Sequence, residues 1–125
     1  MQTQDVQKSL FERLGGEAAI EAAVVTFYEK VMADPLLAHY FEHLDMSAQI
    51  KKQIAFMTMA FGGPNRYSGR DLRTAHAKLP NLGDEHFDAI LTHLDETLRE
   101  LGIGGDDVAA VRGIVEGTRR DVLNR

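Results

Sequence analysis

The chain contains no cysteine among its 125 residues. This absence excludes disulfides, thiolate-bound zinc and iron–sulfur clusters, so any metal must be held by histidine, lysine, methionine, tyrosine or carboxylate side chains. The sequence also lacks an apolar run of about 18 residues, the length of a membrane span. Residues 1–8 have neither the cationic start nor the apolar run of a signal peptide. We therefore expect a cytoplasmic protein without a membrane partner.

Basic residues are in the minority, with 14 Lys and Arg against 19 Asp and Glu, for a formal net charge of -5. Because nucleic-acid binding depends on clustered Lys and Arg, this balance argues against a nucleic-acid partner. The length suits one hydrophobic core. We expect a polar leader over residues 1–9, followed by a single domain over residues 10–125 in a monomeric protein.

Alternating strand patterns are missing as well, whereas apolar residues recur at helical spacing along the chain. The sequence therefore predicts an all-α fold. Helix starts or ends are marked by Gly15-Gly16, Asp34-Pro35, Asp45, Gly62-Gly63 and Pro80. The predicted helices cover residues 10–14, 17–32, a short segment after Pro35, 46–61, 68–80, 85–101 and 106–123.

Several polar side chains fall on apolar helix faces. Tyr28 follows Phe27 on one stripe, Gln53 lies at the centre of another with Gln49 at its border, and His76 shares a third with leucines. A tyrosine with its hydroxyl at the surface and a hydrogen-bonded core histidine are the ordinary explanations; a metal or haem-iron ligand is the alternative for the histidine. Because an unsatisfied buried amide costs roughly 1–3 kcal/mol, Gln53 implies a polar partner.

His39 and His43 form a second candidate site. Their spacing of four residues allows both rings to bind one metal from a single helix face. No third ligand stands near them in the sequence. A surface role is the simpler interpretation, and a haem-free helical domain that binds a metal is the alternative.

Taken together, these motifs resemble the truncated haemoglobins, specifically the first group. The similarity runs from the segment Leu10 to Gly16 to the segment Asp121 to Asn124. Between them it includes Phe27-Tyr28, Phe41, Gln49 through Gln53, Ala60 through Gly63, and Ala75-His76. The family implies a two-over-two helical sandwich that encloses a haem.

The resemblance also implies roles for individual residues. His76 matches the proximal ligand of a b-type haem, Tyr28, Gln49 and Gln53 match the polar cluster on the distal side, and Phe41 matches the ring packed on the porphyrin. Further haem contacts are implied for Leu44, Lys52, Phe56, Phe61, Tyr67, Arg70, Leu72, Leu79, His86 and Phe87. Core packing explains Phe56 equally well. No histidine lies in the last predicted helix, so a covalent histidine–vinyl link is not available and we expect non-covalent haem.

Lys52 departs from the family pattern, since many relatives carry at the matching position a histidine able to bind the iron. A lysine amine can ligate iron only when neutral, and removing its proton at pH 7 costs roughly 4–5 kcal/mol. A lysine that points outward, towards a haem propionate, is the alternative to a sixth ligand.

The functional expectation from the resemblance is binding of O2, with NO and CO as additional ligands, in oxygen transport or storage. It extends to NO dioxygenation and protection from reactive nitrogen and oxygen species. That reaction needs an external reductase, because a flavin or nicotinamide domain does not fit in 125 residues. A gas-sensing or redox haem module, with Lys52 as an endogenous ligand, is the alternative.

Overall fold

The structure is a computed structural model that describes residues 8–64, 72–79 and 81–125. Within these ranges it contains helices and turns but no strand, which confirms the predicted all-α fold. The helices are α1 (Leu10–Leu14), α2 (Gly16–Met32), a 3₁₀ helix (Ala38–Phe41), α3 (Met46–Ala60), α4 (Leu72–His76), α5 (Asp84–Glu100), α6 (Gly105–Glu116) and α7 (Arg119–Val122).

The N-terminal corner follows directly from local sequence. The Ser9 Oγ accepts a hydrogen bond from the Glu12 N–H at 3.1 Å, and the Glu12 carboxylate accepts one from the Ser9 N–H, so a capping box begins α1. Gly15 and Gly16 then adopt φ values of +117° and +78°, which side chains disfavour. A Cβ on Gly15 would lie 2.9 Å from that of Ala19. These glycines therefore allow α2 to start immediately after α1.

The core lies between two packed helix pairs. α2 packs against both α3 and α5, and α5 packs against α6 across the turn of residues 101–104. The centre of the core is formed by side chains without solvent exposure, which are Val24 and Val31 on α2 and Val108 and Val111 on α6. This arrangement places one face of α3 and the short helix α4 at the margin of the core.

Two helix predictions were wrong in extent. The predicted helix over residues 106–123 is interrupted, because α6 ends at Glu116 and α7 starts at Arg119. At the break, the Thr118 hydroxyl donates to the Val115 carbonyl at 2.6 Å, and glycine occupies position 117. The residues after Pro35 form a 3₁₀ helix that begins only at Ala38.

The predicted helix over residues 68–80 is described only in part. Its described section is α4, which ends at His76. Ala75 is exposed, so the prediction that it lies on a buried stripe was wrong, whereas Leu72, His76 and Leu79 are half-buried. The predicted ends of this helix, Ser68 and Pro80, lie outside the described residues.

None of the helices within residues 8–64, 72–79 and 81–125 combines the length and apolar character needed to cross a membrane.

Candidate functional site

A buried tyrosine and a glutamine from neighbouring helices form the polar centre of the candidate site. Tyr28 lies on the inner face of α2 and is 5% exposed. The Gln49 Nε2, from the first turns of α3, donates a hydrogen bond to its hydroxyl at 3.1 Å. The Tyr28 ring makes edge contacts with Phe27 at 5.2 Å and Phe41 at 5.7 Å between centroids. The phenol is therefore held in one orientation by aromatic packing.

The environment keeps this hydroxyl protonated. Burial raises the pKa of Tyr28 above its usual value of 10.0, and the hydrogen bond from Gln49 only partly opposes that effect. Because the hydroxyl oxygen accepts from the Gln49 amide, its own hydrogen is left for another acceptor. At neutral pH the pair therefore presents a directed O–H donor.

His76, the last residue of α4, has the arrangement of a metal-ligating histidine. Its Nδ1 lies 2.7 Å from the main-chain carbonyl oxygen of Leu72. A carbonyl can only accept, so Nδ1 carries the ring hydrogen and the lone pair of the neutral imidazole is on Nε2. Metal-bound histidines typically donate their second nitrogen to a carbonyl or carboxylate in this way. The residue is half-buried, and no hydrogen bond to its Nε2 is found among the described residues.

Half-buried apolar side chains occur on several elements. They are Phe41 of the 3₁₀ helix, Ile50 and Ile54 of α3, Leu72 of α4, Leu79 just after α4, and Ile90 of α5. Gln53 and Phe56, also on α3, are half-buried as well. A haem needs a neutral imidazole nitrogen for its iron and apolar side chains for its porphyrin. His76 and these side chains are of the types that suit a haem.

Other predicted contacts have different surroundings. Phe61 is 4% exposed and belongs to the core, whereas Leu44 is 46% exposed. Lys52 is exposed on α3. Phe87 is buried beneath the Arg119 guanidinium, which lies 4.5 Å from the ring centroid. The haem-contact roles of these side chains stay predictions, and Tyr67 and Arg70 lie outside the described residues.

His86 has a structural contact that the sequence did not reveal. It is buried, and its Nδ1 accepts a hydrogen bond from the Gly83 N–H at 3.0 Å, at the start of α5. Its ring meets Tyr40 edge-on at 5.5 Å between centroids. The side chain thus caps α5, and a haem contact for it stays a prediction.

The alternative metal site gains no further ligands. His39 and His43 are both exposed. Across residues 8–64, 72–79 and 81–125, histidine and carboxylate side chains form no group of three or more suited to a metal ion.

Two polar pairs between distant parts of the chain carry no signal in the sequence. Arg73 of α4 donates to Asp121 of α7 at 3.1 Å, and His93 of α5 donates through Nε2 to Asp34 at 2.7 Å. The partners are 48 and 59 residues apart. Local spacing carries no signal for pairs at such separations.

Comparison with known proteins identifies the family of the chain. The family model described as Bacterial-like globin matches residues 9–124. A group 1 truncated haemoglobin of Chlamydomonas moewusii is 48% identical over 93% of this chain and 68% of its own length. One from Tetrahymena thermophila is 44% identical, over 95% of this chain and 98% of its own.

Solved structures give the same result. The truncated haemoglobin of Tetrahymena pyriformis in its Fe(III) form is 44% identical, with a TM-score of 0.88, over 92% of this chain and 97% of its own. The 2/2 haemoglobin of Synechococcus sp. PCC 7002, in the cyanomet state with covalently attached haem, is 46% identical with a TM-score of 0.90, over 94% and 100%. The chain therefore belongs to the group 1 truncated haemoglobins, a family of haem-binding globins.

Proposed function

We propose that the chain holds a b-type haem through His76 and binds O2, with NO and CO as further ligands, on the side of Tyr28, Gln49 and Gln53. The observation that carries the proposal is the 2.7 Å contact between His76 Nδ1 and the Leu72 carbonyl, which leaves Nε2 as the ligating atom. When bound, the haem would supply an iron centre able to bind a diatomic gas.

The pair of Tyr28 and Gln49 would slow the release of the bound gas. A ligand that acquires partial negative charge is stabilised by O–H and N–H donors, each worth about 1–3 kcal/mol in a site without water. Tyr28 offers such a hydroxyl, and Gln49 orients it through the 3.1 Å hydrogen bond. Burial of Tyr28 excludes water that would compete for the same hydrogen. Slow release of O2 follows from this arrangement.

NO dioxygenation is the reaction that would use the same site. One NO, one O2 and one electron give nitrate, so each turnover needs a single electron from an external reductase. The donors that retain O2 would hold it while NO arrives, which favours this reaction over rapid exchange. Stopped-flow mixing of the oxygenated protein with NO, followed by turnover with a reductase, tests it. Slow reaction, or failure to be reduced again, would leave gas binding as the function.

Non-covalent attachment of the haem is part of the proposal. Residues 105–125, which include α6 and α7, contain no histidine that could add to a vinyl group. Acidified butanone should therefore extract all of the haem from the reconstituted protein. A coloured polypeptide after extraction would contradict this.

We further propose that Lys52 leaves the axial position open, because its side chain is exposed on α3. Spectra of the ferric protein between pH 6 and pH 10 should be the same for the original chain and for Lys52→Ala. A low-spin form that disappears only in Lys52→Ala would instead identify a lysine ligand and favour the redox or sensing alternative.

The central test is haem binding itself. Protein reconstituted with haemin should show a Soret band and, after reduction, a CO complex, and His76→Ala should weaken or alter both. His43→Ala is the matched control, because it removes an exposed histidine outside this site. Unchanged spectra in His76→Ala would refute the assignment.

A further inference from the structure

Helix α7 links α4, the helix that carries His76, to the start of α5. α4 packs against α7. The Arg73 guanidinium, three residues before His76, donates through Nη2 to Asp121 Oδ1 at 3.1 Å and to the Arg125 main-chain carbonyl at 2.9 Å. One side chain therefore attaches α4 both to α7 and to Arg125, three residues beyond its end.

α7 is itself attached to the start of α5. Arg119 donates to Asp84 at 2.9 Å and to Asp88 at 2.6 Å, and Arg125 donates to the second oxygen of Asp84 at 2.6 Å. These two arginines, Arg125 foremost, hold the pKa of the Asp84 carboxyl below its usual value. Arg119 also covers the buried ring of Phe87. The segment around α7 is thus fixed to α5 by ion pairs that persist at neutral pH.

Among the described residues, α4 has little buried surface. It is a five-residue helix, and none of its side chains is fully buried. Apolar burial, which fixes longer helices, therefore contributes little to its position. The Arg73 pair is exposed, with 46% of the arginine and 57% of the aspartate side chain accessible, so its strength is modest. Because Arg73 donates to two acceptors outside α4, its side chain still contributes to the orientation of this small helix.

We propose that Arg73 is a positioning residue for His76. By attaching α4 to α7, Arg73 fixes the direction in which the His76 Nε2 points, and hence the bond that this atom makes to the haem iron. This inference rests on the proposed function, in which His76 is the proximal ligand. It predicts that removal of an arginine that touches neither haem nor gas changes the iron–histidine bond.

The experiment compares Arg73→Ala and Asp121→Asn with Arg99→Ala in the haem-reconstituted full chain. Arg99 forms an ion pair with Asp95 at 2.6 Å near the end of α5, so the control loses a surface pair of the same type. Resonance Raman spectroscopy of the ferrous, ligand-free protein measures the iron–histidine stretching band, and transfer of haemin to excess apomyoglobin measures haem loss. Thermal unfolding of the apoproteins reports stability separately.

Arg73→Ala should shift or broaden the stretching band and release haemin about two- to fivefold faster, the range expected for an exposed ion pair. Asp121→Asn should change both in the same direction by less, because the Arg125 carbonyl still accepts from Arg73. Arg73→Lys, which keeps the charge but not the planar donor, should fall between Arg73→Ala and the original protein. Arg99→Ala should leave the band unchanged.

An unchanged band in Arg73→Ala and Asp121→Asn would overturn the positioning role, as would an equal change in Arg99→Ala. If Arg73→Ala does not fold, Asp121→Asn and Arg73→Lys decide the question by the same measurements. The two proposals fail differently. A histidine band that persists in His76→Ala would overturn the proposed function, and the role of Arg73 with it. A band that vanishes in His76→Ala but is unaffected by the Arg73 variants would overturn the role of Arg73 alone.

Discussion

At the scale of single residues, the Tyr28 hydroxyl is the group whose loss should matter most for gas release. Tyr28→Phe removes the O–H that Gln49 orients but keeps the ring that packs on Phe27 and Phe41. Loss of one donor in a dry site costs about 1–3 kcal/mol, so O2 dissociation should be roughly 5- to 150-fold faster. Stopped-flow displacement of O2 by CO measures this rate.

Tyr40→Phe is the control for that substitution, because Tyr40 is the half-buried phenol that packs on His86. It should leave the O2 dissociation rate within about twofold of the original. Equal rates for Tyr28→Phe and the unmodified protein would show that the tyrosine hydroxyl does not contact the bound gas.

A second residue-scale prediction concerns acid stability. The hydrogen bond from His93, and then that from the Leu36 N–H, hold the pKa of the Asp34 carboxyl below its ordinary value of 3.8. A lowered pKa in the folded state stabilises the fold above the ordinary value, and this contribution is lost as pH falls through the lowered one. Asp34→Asn should therefore flatten the decline in stability below about pH 4 and reduce stability at pH 7.

Urea unfolding of the apoprotein at several pH values between 3 and 7 measures this difference. An identical pH dependence for Asp34→Asn would show that the pair with His93 contributes nothing to folding.

These residues also show what a sequence reveals about a site. Tyr28 and Gln53 are conspicuous because each is a polar side chain within an apolar stripe of helical period. The structure agrees with an inward position, since Tyr28 is buried and Gln53 is half-buried. Arg73 and His93 gave no such signal, because an arginine or histidine on an exposed-looking helix face is ordinary. Their significance depends on Asp121 and Asp34, which only the packing of distant helices brings within hydrogen-bond distance.

At the scale of helices, the start of α3 controls the position of Gln49. The Asp45 side chain accepts hydrogen bonds from the Ser47 N–H at 3.0 Å and the Ala48 N–H at 3.3 Å. Asp45→Ala should reduce the free energy of unfolding by about 0.5–2 kcal/mol, the usual value of such a cap. It should also loosen the first turn, and so accelerate O2 dissociation by less than Tyr28→Phe does.

Asp45→Asn keeps an acceptor oxygen at the cap and is the matched control, with an expected loss of at most a few tenths of a kcal/mol. Chemical unfolding and O2 displacement measure the two effects. A destabilised Asp45→Ala protein with an unchanged O2 rate would show that Gln49 is positioned by its partner Tyr28 rather than by the cap.

Helix identity was predictable at this scale, but helix extent was not in two places. The long amphipathic stripes predicted the ends of α2, α3 and α5 to within about one residue of those observed. The break between α6 and α7 depends on a glycine and on a threonine that bonds back to Val115, neither of which excludes a continuous helix from sequence alone. In α4 the stripe predicted Ala75 as buried, yet the helix has too few turns to cover that face.

At the scale of the whole molecule, burial is distributed unevenly between the long and the short helices. α2 and α5 carry most of the buried side chains, whereas the 3₁₀ helix, α4 and α7 have none. The 3₁₀ helix and α4 contribute Phe41 and His76, which are both predicted to contact the haem. A ligand bound only by the native state stabilises it by mass action, and most strongly where the protein alone does not.

We therefore expect haem to protect these two helices selectively. In hydrogen–deuterium exchange of the apoprotein, amides of residues 38–41 and 72–79 should exchange faster than those of α2 and α5, and haemin should slow them more than it slows α2 or α5. His76→Ala with haemin is the control, because α4 should then stay unprotected while the core is unchanged. Equal protection of α4 with and without haem would mean that contacts such as the Arg73 pair already fix it, so that the cofactor binds a proximal side formed in advance.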